Sequence, residues 1–286
     1  MSTSSPDLPP RLFDLALLRR RQDRALALGP ETFLADRIAE DMSERLDVVK
    51  RSFAAVADIG SPAAALRNPS NEKFNGTKTY LYLPSSNDET LPIDPGSFNL
   101  VVSALALQFV NDLPGVLAQI RRALKPDGLF LAAMVGGETL TELRQSFAAA
   151  EAEIEGGVSP RVAPFVDLRD LGALLQRAGF SLPVTDVDRI VVRYDNAFAL
   201  MQDLRRMGAT NTLNERRRTP SRRATFLKMA QIYAERFSDP DGRIRATFDI
   251  VWMSGWAPHE SQQKPLKPGS AKMSLADAVK KAGETK

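Results

Sequence analysis

Residues 98–135 read FNLVVSALALQFVNDLPGVLAQIRRALKPDGLFLAAMV, and the change of period inside them decides the fold. Phe98–Ala104 is an apolar, β-branched run of the kind that forms a buried strand. Asp112 then suits the cap of a helix whose first turn tolerates Pro114, and Leu117, Ile120 and Leu124 follow at helical spacing. The helix stops at Lys125-Pro126-Asp127-Gly128, and Leu129–Val135 reads as a second buried strand. Strand, helix, turn and strand make a βαβ unit, which predicts a parallel sheet covered by helices.

Upstream, Phe53–Gly60 is a short apolar strand closed by Asp and Gly, and Thr79–Leu83 is another closed by Pro84. Only 18 residues (61–78) separate Gly60 from Thr79, too few for a helix, a strand and a second helix, since one βαβ unit takes about 30. The segment Ala65–Lys78 is polar, with Asn-Pro and Asn-Gly turn signals and Glu72 as its only acid. The second strand and its helix are therefore expected to be missing or shortened. Residues 1–10 read as a disordered lead, and 11–52 as two helices, Arg11–Leu28 and Glu31–Arg51. Downstream come a helix over Gly137–Ile154, a loop over Gly156–Phe165, a helix over Leu168–Ala178 and an extended run over Leu182–Tyr194. Helices over Asn196–Met207 and Ser221–Phe237 and a last strand over Thr247–Trp256 complete the pattern. This organisation predicts one α/β domain over 53–257, with a helical insertion at about 196–237 and a flexible tail over 258–286.

Composition removes much of the catalytic menu. Among 286 residues there is no Cys and one His, His259. That excludes disulfides, thiolate nucleophiles, Cys-containing zinc sites and two-His metal motifs. A net charge of +3 carries no nucleic-acid signature, and no apolar run approaches a membrane span; Gly128–Gly137 comes nearest. The Ser- and Pro-rich start resembles neither a signal nor a transit peptide, so no metal, no nucleic acid and an intracellular location are expected.

The strand end Asp58-Ile59-Gly60, the stretch Asn87-Asp88-Glu89-Thr90-Leu91-Pro92, the strand at Phe98 and Leu124-Lys125-Pro126-Asp127-Gly128 fall in the order of class I S-adenosylmethionine-dependent methyltransferases. More specific are Phe109-Val110-Asn111-Asp112-Leu113-Pro114, Gly136-Gly137-Glu138-Thr139-Leu140, Gly156-Gly157-Val158-Ser159-Pro160, Met207-Gly208-Ala209-Thr210-Asn211 and Gly255-Trp256 followed by His259-Glu260-Ser261-Gln262. With these the chain, over about residues 11–272, resembles the mitochondrial respiratory complex I assembly factors of methyltransferase fold. That family is described as hydroxylating an arginine on an iron–sulfur subunit of complex I, and its cousins include the malonyl-carrier-protein methyltransferase of biotin synthesis. The resemblance implies a Rossmann-like sheet with helices on both faces, S-adenosylmethionine as the cofactor and a protein partner, either a respiratory-chain subunit or an active paralogue. For a bacterial homologue it implies the cytoplasm, with peripheral membrane contact open to it.

The same resemblance assigns Asp58, Gly60, Asn87, Asp88, Ser103 and Gln108 to the cofactor, and the family pattern there is not kept. Its Asp-x-Gly-x-Gly-x-Gly reads Asp58-Ile59-Gly60-Ser61-Pro62-Ala63-Ala64, so a proline and an alanine stand at the second and third glycines. No acid follows at the end of the next strand to hold the ribose, Asn87 stands where an acid meets the adenine amine, and Gln108-Phe109 replaces His-Trp. Four departures in one site predict a weakened or lost cofactor site. Gly136, Gly137, Glu138, Ser159, Arg161 and Arg205 are the candidates for a substrate or partner, each with a plainer reading as turn or surface. Arg205, Arg206, Arg216, Arg217, Arg218, Arg222 and Arg223 form a basic cluster within 19 residues, suited to an acidic partner or anionic lipid and equally to a solvated face. His259 reads as a surface residue. Two functions stand: an assembly factor with a degenerate cofactor site, and an active methyltransferase acting on a protein or carrier-bound substrate. Arginine hydroxylation needs an oxidant for which the sequence offers no ligand set beyond carboxylates and one His.

Overall fold

Along Phe98–Ala104 (β3), Leu100 and Val102 enter one apolar cluster and Val101 another, so the strand is buried on both faces. The computed structural model describes residues 11–62, 76–83 and 89–263. Around β3 it builds a six-stranded sheet from Ala55–Ile59 (β1), Thr77–Leu81 (β2), Leu124–Gly136 (β4), Ser181–Tyr194 (β5) and Ile244–Trp256 (β6). The order is β2-β1-β3-β4-β6-β5; the first four strands run parallel and β6 is antiparallel to both its neighbours. The sequence reading of an α/β sheet with helices on both faces holds. The shortening after Gly60 takes a definite form: a five-residue strand lies directly beside β1 and ends the sheet on that side among the described residues. It starts two residues earlier than the β-rich run suggests, because Thr77 N–H donates to the Ala54 carbonyl at 2.9 Å. Gly76 is required there, since a Cβ would stand 1.8 Å from that carbonyl oxygen.

Helices Leu113–Ala123 (α3) and Leu168–Arg177 (α5) bury Leu117, Ile120, Leu171 and Leu175 on one face. Phe33–Asp47 (α2), Thr141–Glu155 (α4), Ala197–Arg206 (α6) and Arg223–Phe237 (α7) cover the other, with Ile38, Met42, Leu200, Met229 and Tyr233 inside. Leu15–Ala27 (α1) packs on α6. As expected, Asp112 caps α3, its carboxylate accepting Gly115 N–H at 2.9 Å. α3 ends one residue before Leu124, which is extended, because Pro126 cannot continue a helix and Asp127 takes a left-handed φ of 62°. α4 begins at Thr141 rather than Gly137, because Gly137 and Leu140 both have positive φ. Along β6, Arg45 lies 4.2 Å over Trp252 and Arg51 5.0 Å over Trp256.

Candidate functional site

The carboxyl ends of β1, β2 and β3 are where a parallel sheet places ligands. Here they are knitted to one another. Gly60, with φ +71°, donates its N–H to Leu81 O at 2.7 Å. A Cβ on Gly60 would lie 3.0 Å from Ala106 Cβ and 3.1 Å from Leu83 Cγ, so side chains already fill the space beside it. Ser103 Oγ donates to Ile59 O at 2.7 Å, Ser61 Oγ accepts Ala104 N–H at 2.9 Å, and Tyr80 OH donates to Ser61 O at 3.1 Å. Asp58 is fully buried within β1. Its charge acts on Lys78 of β2, whose ammonium burial pulls below the ordinary lysine value and Asp58 pulls back up.

Past the end of β2 the corner is aromatic and cationic. Tyr80 and Tyr82 meet edge to face at 4.9 Å, and the Arg19 guanidinium of α1 lies 4.9 Å over Tyr82. Glu89, buried with φ 47°, accepts the N–H groups of Asn111 at 2.8 Å and Asp112 at 2.6 Å and the Asn111 amide at 3.2 Å. Gln108 donates to Leu105 O at 2.7 Å, while its Oε1 is buried without a hydrogen-bond partner. Asn87 and Asp88 lie outside the described residues.

These groups border a cavity of about 520 Å³, within the range of small-molecule sites. Its lining is mainly apolar: Leu18, Leu34, Leu143, Phe147 and Phe226 face it along with Gly60, Pro62, Tyr80, Tyr82 and Gln108. Of the cofactor candidates, Gly60 and Gln108 reach this lining; Asp58 and Ser103 are held behind it in the sheet. Arg161 also lines it, whereas Arg205 lines a separate groove.

Sequence reasoning picked out Ser159 and Arg161 but not the group that holds them. Glu151, on the inner side of α4 and 1 % exposed, accepts Ser159 N–H and Oγ, each at 2.7 Å, and Arg161 Nε at 2.7 Å. Burial pushes the Glu151 carboxyl up, but the Ser159 bonds and Arg161 outweigh it and hold the group below the ordinary glutamate range. Nearby, Arg189 grips Asp249 at 2.6 and 2.8 Å, and Asp249 also accepts Glu138 N–H at 3.1 Å. The Arg189 bond outweighs desolvation and holds Asp249 low. Gly136 and Gly137 serve this packing: a Cβ would stand 2.5 Å from Val251 Cγ2 and 2.9 Å from Asp249 Oδ2 respectively. Gly136, Gly137 and Glu138 do not line the cavity, but Val135, Thr139 and Leu140 do.

The segments that carry the resemblance are wired together. Asn111 binds both backbone groups of Phe13, at 2.7 and 3.2 Å, and Asn211 Nδ2 donates to Pro160 O at 2.7 Å. Arg21 Nη1 donates to Asn211 O. Of the seven-arginine cluster, Arg206 pairs with Glu31 at 3.2 Å, Arg216 with Asp14 at 3.2 Å and Arg217 with Glu155 at 2.6 Å. His259 is exposed, with Nδ1 2.7 Å from Ser261 Oγ. Among the described residues no three His, Cys, Asp or Glu side chains are placed to hold a metal ion, and no helix is long and apolar enough to cross a membrane.

Residues 57–132 match the model of a methyltransferase domain. Over 94 % of its length the chain is 38 % identical to the mitochondrial arginine-hydroxylase NDUFAF5 of Danio rerio, covering 90 % of that protein. It is 38 % identical to the Homo sapiens protein of the same name, over 92 % of this chain and 82 % of that one. It is 33 % identical to a malonyl-[acyl-carrier protein] O-methyltransferase of Laribacter hongkongensis, over 90 % of this chain and 94 % of the relative.

Proposed function

The chain belongs to the methyltransferase-fold family that contains the NDUFAF5 arginine-hydroxylases, and on that footing we propose that it is a complex I-type assembly factor that binds a protein partner and whose S-adenosylmethionine site is weakened. The observation that carries this reading is the corner at the end of β2. Nucleotide-binding sheets offer a carboxylate there, roughly 20 residues after the glycine turn, to accept hydrogen bonds from the ribose hydroxyls. Here the strand beside β1 runs out into Tyr82 and Leu83, with Arg19 lying over Tyr82. Among the described residues at that corner, neither a phenol pair nor a guanidinium replaces an anionic acceptor for two hydroxyl donors. Glu89, which also borders the cavity, is already bonded to the Asn111 and Asp112 backbone.

Each hydrogen bond to a charged group contributes about 1.5–3 kcal/mol, so losing two weakens binding by at least a hundredfold, on the order of 3 kcal/mol. The filled space beside Gly60 and the proline at position 62 act in the same direction, by keeping backbone from the cofactor's methionine end. The partner-facing segments, by contrast, are braced: Glu151 fixes the 159–161 loop, and Asn211 ties that loop to the segment after α6. A donor set for a redox metal is not assembled among the described residues.

A second reading, an active methyltransferase on a protein or carrier-bound substrate, draws support from the size of the cavity and from Gly60 and Gln108 on its wall. Methyl transfer needs positioning more than acid–base groups, so a chain without Cys and with one His is suited to it. Calorimetric titration with S-adenosylmethionine and S-adenosylhomocysteine decides between the two. Half-saturation is expected no tighter than about 100 μM, a hundredfold above a micromolar site. Micromolar binding of either would overturn the weakened-site reading in favour of the enzyme.

A further inference from the structure

A second concavity, a groove of about 730 Å³, runs between α1 and α6 on the outside of the cavity wall. Four guanidiniums line it, from Arg21, Arg24, Arg205 and Arg206, and none of its lining residues is an acid. Arg206 is satisfied by Glu31 and the Gly29 carbonyl, and Arg21 by the Asn211 carbonyl. The side chains of Arg24 and Arg205 are exposed, and their guanidiniums make no ion pair or hydrogen bond with another described residue.

A cation in the last turn of a helix is ordinary, and Arg24 and Arg205 hold those positions in α1 and α6. The helix dipole does not account for two such turns converging with Arg21. Burial and the like charges of Arg216 and Arg24 press the Arg21 guanidinium below its usual value. Two further features mark the groove. Phe198 and Leu28 line it while 45 % and 51 % exposed, and the Thr210 hydroxyl is buried without a hydrogen-bond partner. Arg21, Met201, Arg206 and Thr210 line both groove and cavity, so an occupant of the groove lies against the cavity's wall.

We propose that this groove docks an acidic peptide segment of a protein partner, with carboxylates on Arg24 and Arg205 and a large apolar side chain against Phe198 and Leu28. The proposal rests on the partner-binding reading and gives that partner its chemistry: acidic and amphipathic. Uncompensated positive charge selects the acid, and the exposed aromatic ring and Leu28 select an apolar residue, which a point anion lacks.

The test uses the full chain and a fluorescein-labelled peptide of about a dozen alternating glutamates and leucines. Anisotropy should show saturable binding that weakens with added salt. Arg24→Ala/Arg205→Ala, two exposed positions, should weaken it about tenfold, while Arg222→Ala/Arg223→Ala, an equal loss of charge elsewhere, should change it less than about twofold. Equal losses in both variants overturn the proposal, as does equal affinity for a glutamate–serine peptide. So does binding to phosphatidylglycerol-containing vesicles in place of the peptide, which would make the surface a lipid contact. Calorimetry with the cofactor reads the other claim separately. Tight S-adenosylmethionine binding with peptide binding intact removes the weakened-site reading and keeps the groove; peptide failure with no cofactor binding does the reverse.

Discussion

Glu151 shows how one side chain can brace a loop that its neighbours in sequence do not reveal. It is nearly inaccessible, and its carboxylate satisfies a backbone N–H, a hydroxyl and a guanidinium at once. Replacing it by Gln keeps the shape and removes the charge, and charge-assisted bonds are roughly twice as strong as neutral ones. Glu151→Gln should therefore lower stability by about 1–3 kcal/mol at neutral pH, read from urea midpoints. The pH dependence has a definite sign. The folded carboxyl is held below the ordinary 4.5, so its contribution is complete above that value and is lost as pH falls through the lower folded value. The gap between wild type and Glu151→Gln should close on acidification below about pH 4.5. A constant gap down to the acid transition would show that Glu151 acts by packing alone. In the sequence, Ser159 and Arg161 were legible because they stand in a rigid polar loop. Glu151 was not, because a glutamate on a helix rich in Ala and Glu looks like part of a solvated face.

Between elements, the motif at the start of α3 does two jobs, only one of which is local. Asp112 caps the helix it begins, a bond three residues long and readable from spacing alone. Asn111 reaches Phe13, 98 residues away, and is itself held by Glu89. Asn111→Ala should remove both bonds to the Phe13 backbone and release the N-terminal segment. Hydrogen exchange at Phe13 should quicken by an order of magnitude or more, with a stability loss of about 2 kcal/mol. Unchanged exchange there would assign the anchoring of that segment to the short bridge between Phe13 and Leu213 instead. The strands of the sheet were legible because apolar runs and their breakers lie next to one another in the chain. The late start of α4 was not, because a leucine with φ 55° is rare and only the Leu140 N–H bond to Thr247 explains it.

Across the whole molecule, the start of the chain is tied to the segment after α6, and the segment after β6 to the start of β4. Asn214 Nδ2 donates to Arg11 O at 2.8 Å, and Gln262 Nε2 donates to Asp127 at 3.0 Å and to Ala257 O at 2.7 Å. Helix α2 contributes Ile38, Met42 and Leu46 to the same core as α4 and α7. A single cooperative transition is therefore expected in calorimetry, with calorimetric and van't Hoff enthalpies equal. An early, separate melting of α1 and α2 would show an independent N-terminal unit. The fold class was legible because one βαβ unit fixes the handedness and layering of what surrounds it. The cavity was not, because its walls come from α1, the strand ends, the 159–165 loop and α6, which only the completed fold brings together.

Trp252 and Trp256, each covered by an arginine, give the chain its own optical instrument. Both indoles sit in β6, neither borders the cavity, and two of the four tyrosines, Tyr80 and Tyr82, do. Indole emission thus follows the integrity of the sheet, and a blue-to-red shift marks its opening. A tyrosine difference spectrum on ligand addition reports on the cavity pair, because Tyr194 and Tyr233 lie in the core away from it. A ligand that enters without disturbing the scaffold is visible to one set of chromophores and dark to the other, so occupancy and unfolding can be read apart in one unlabelled sample.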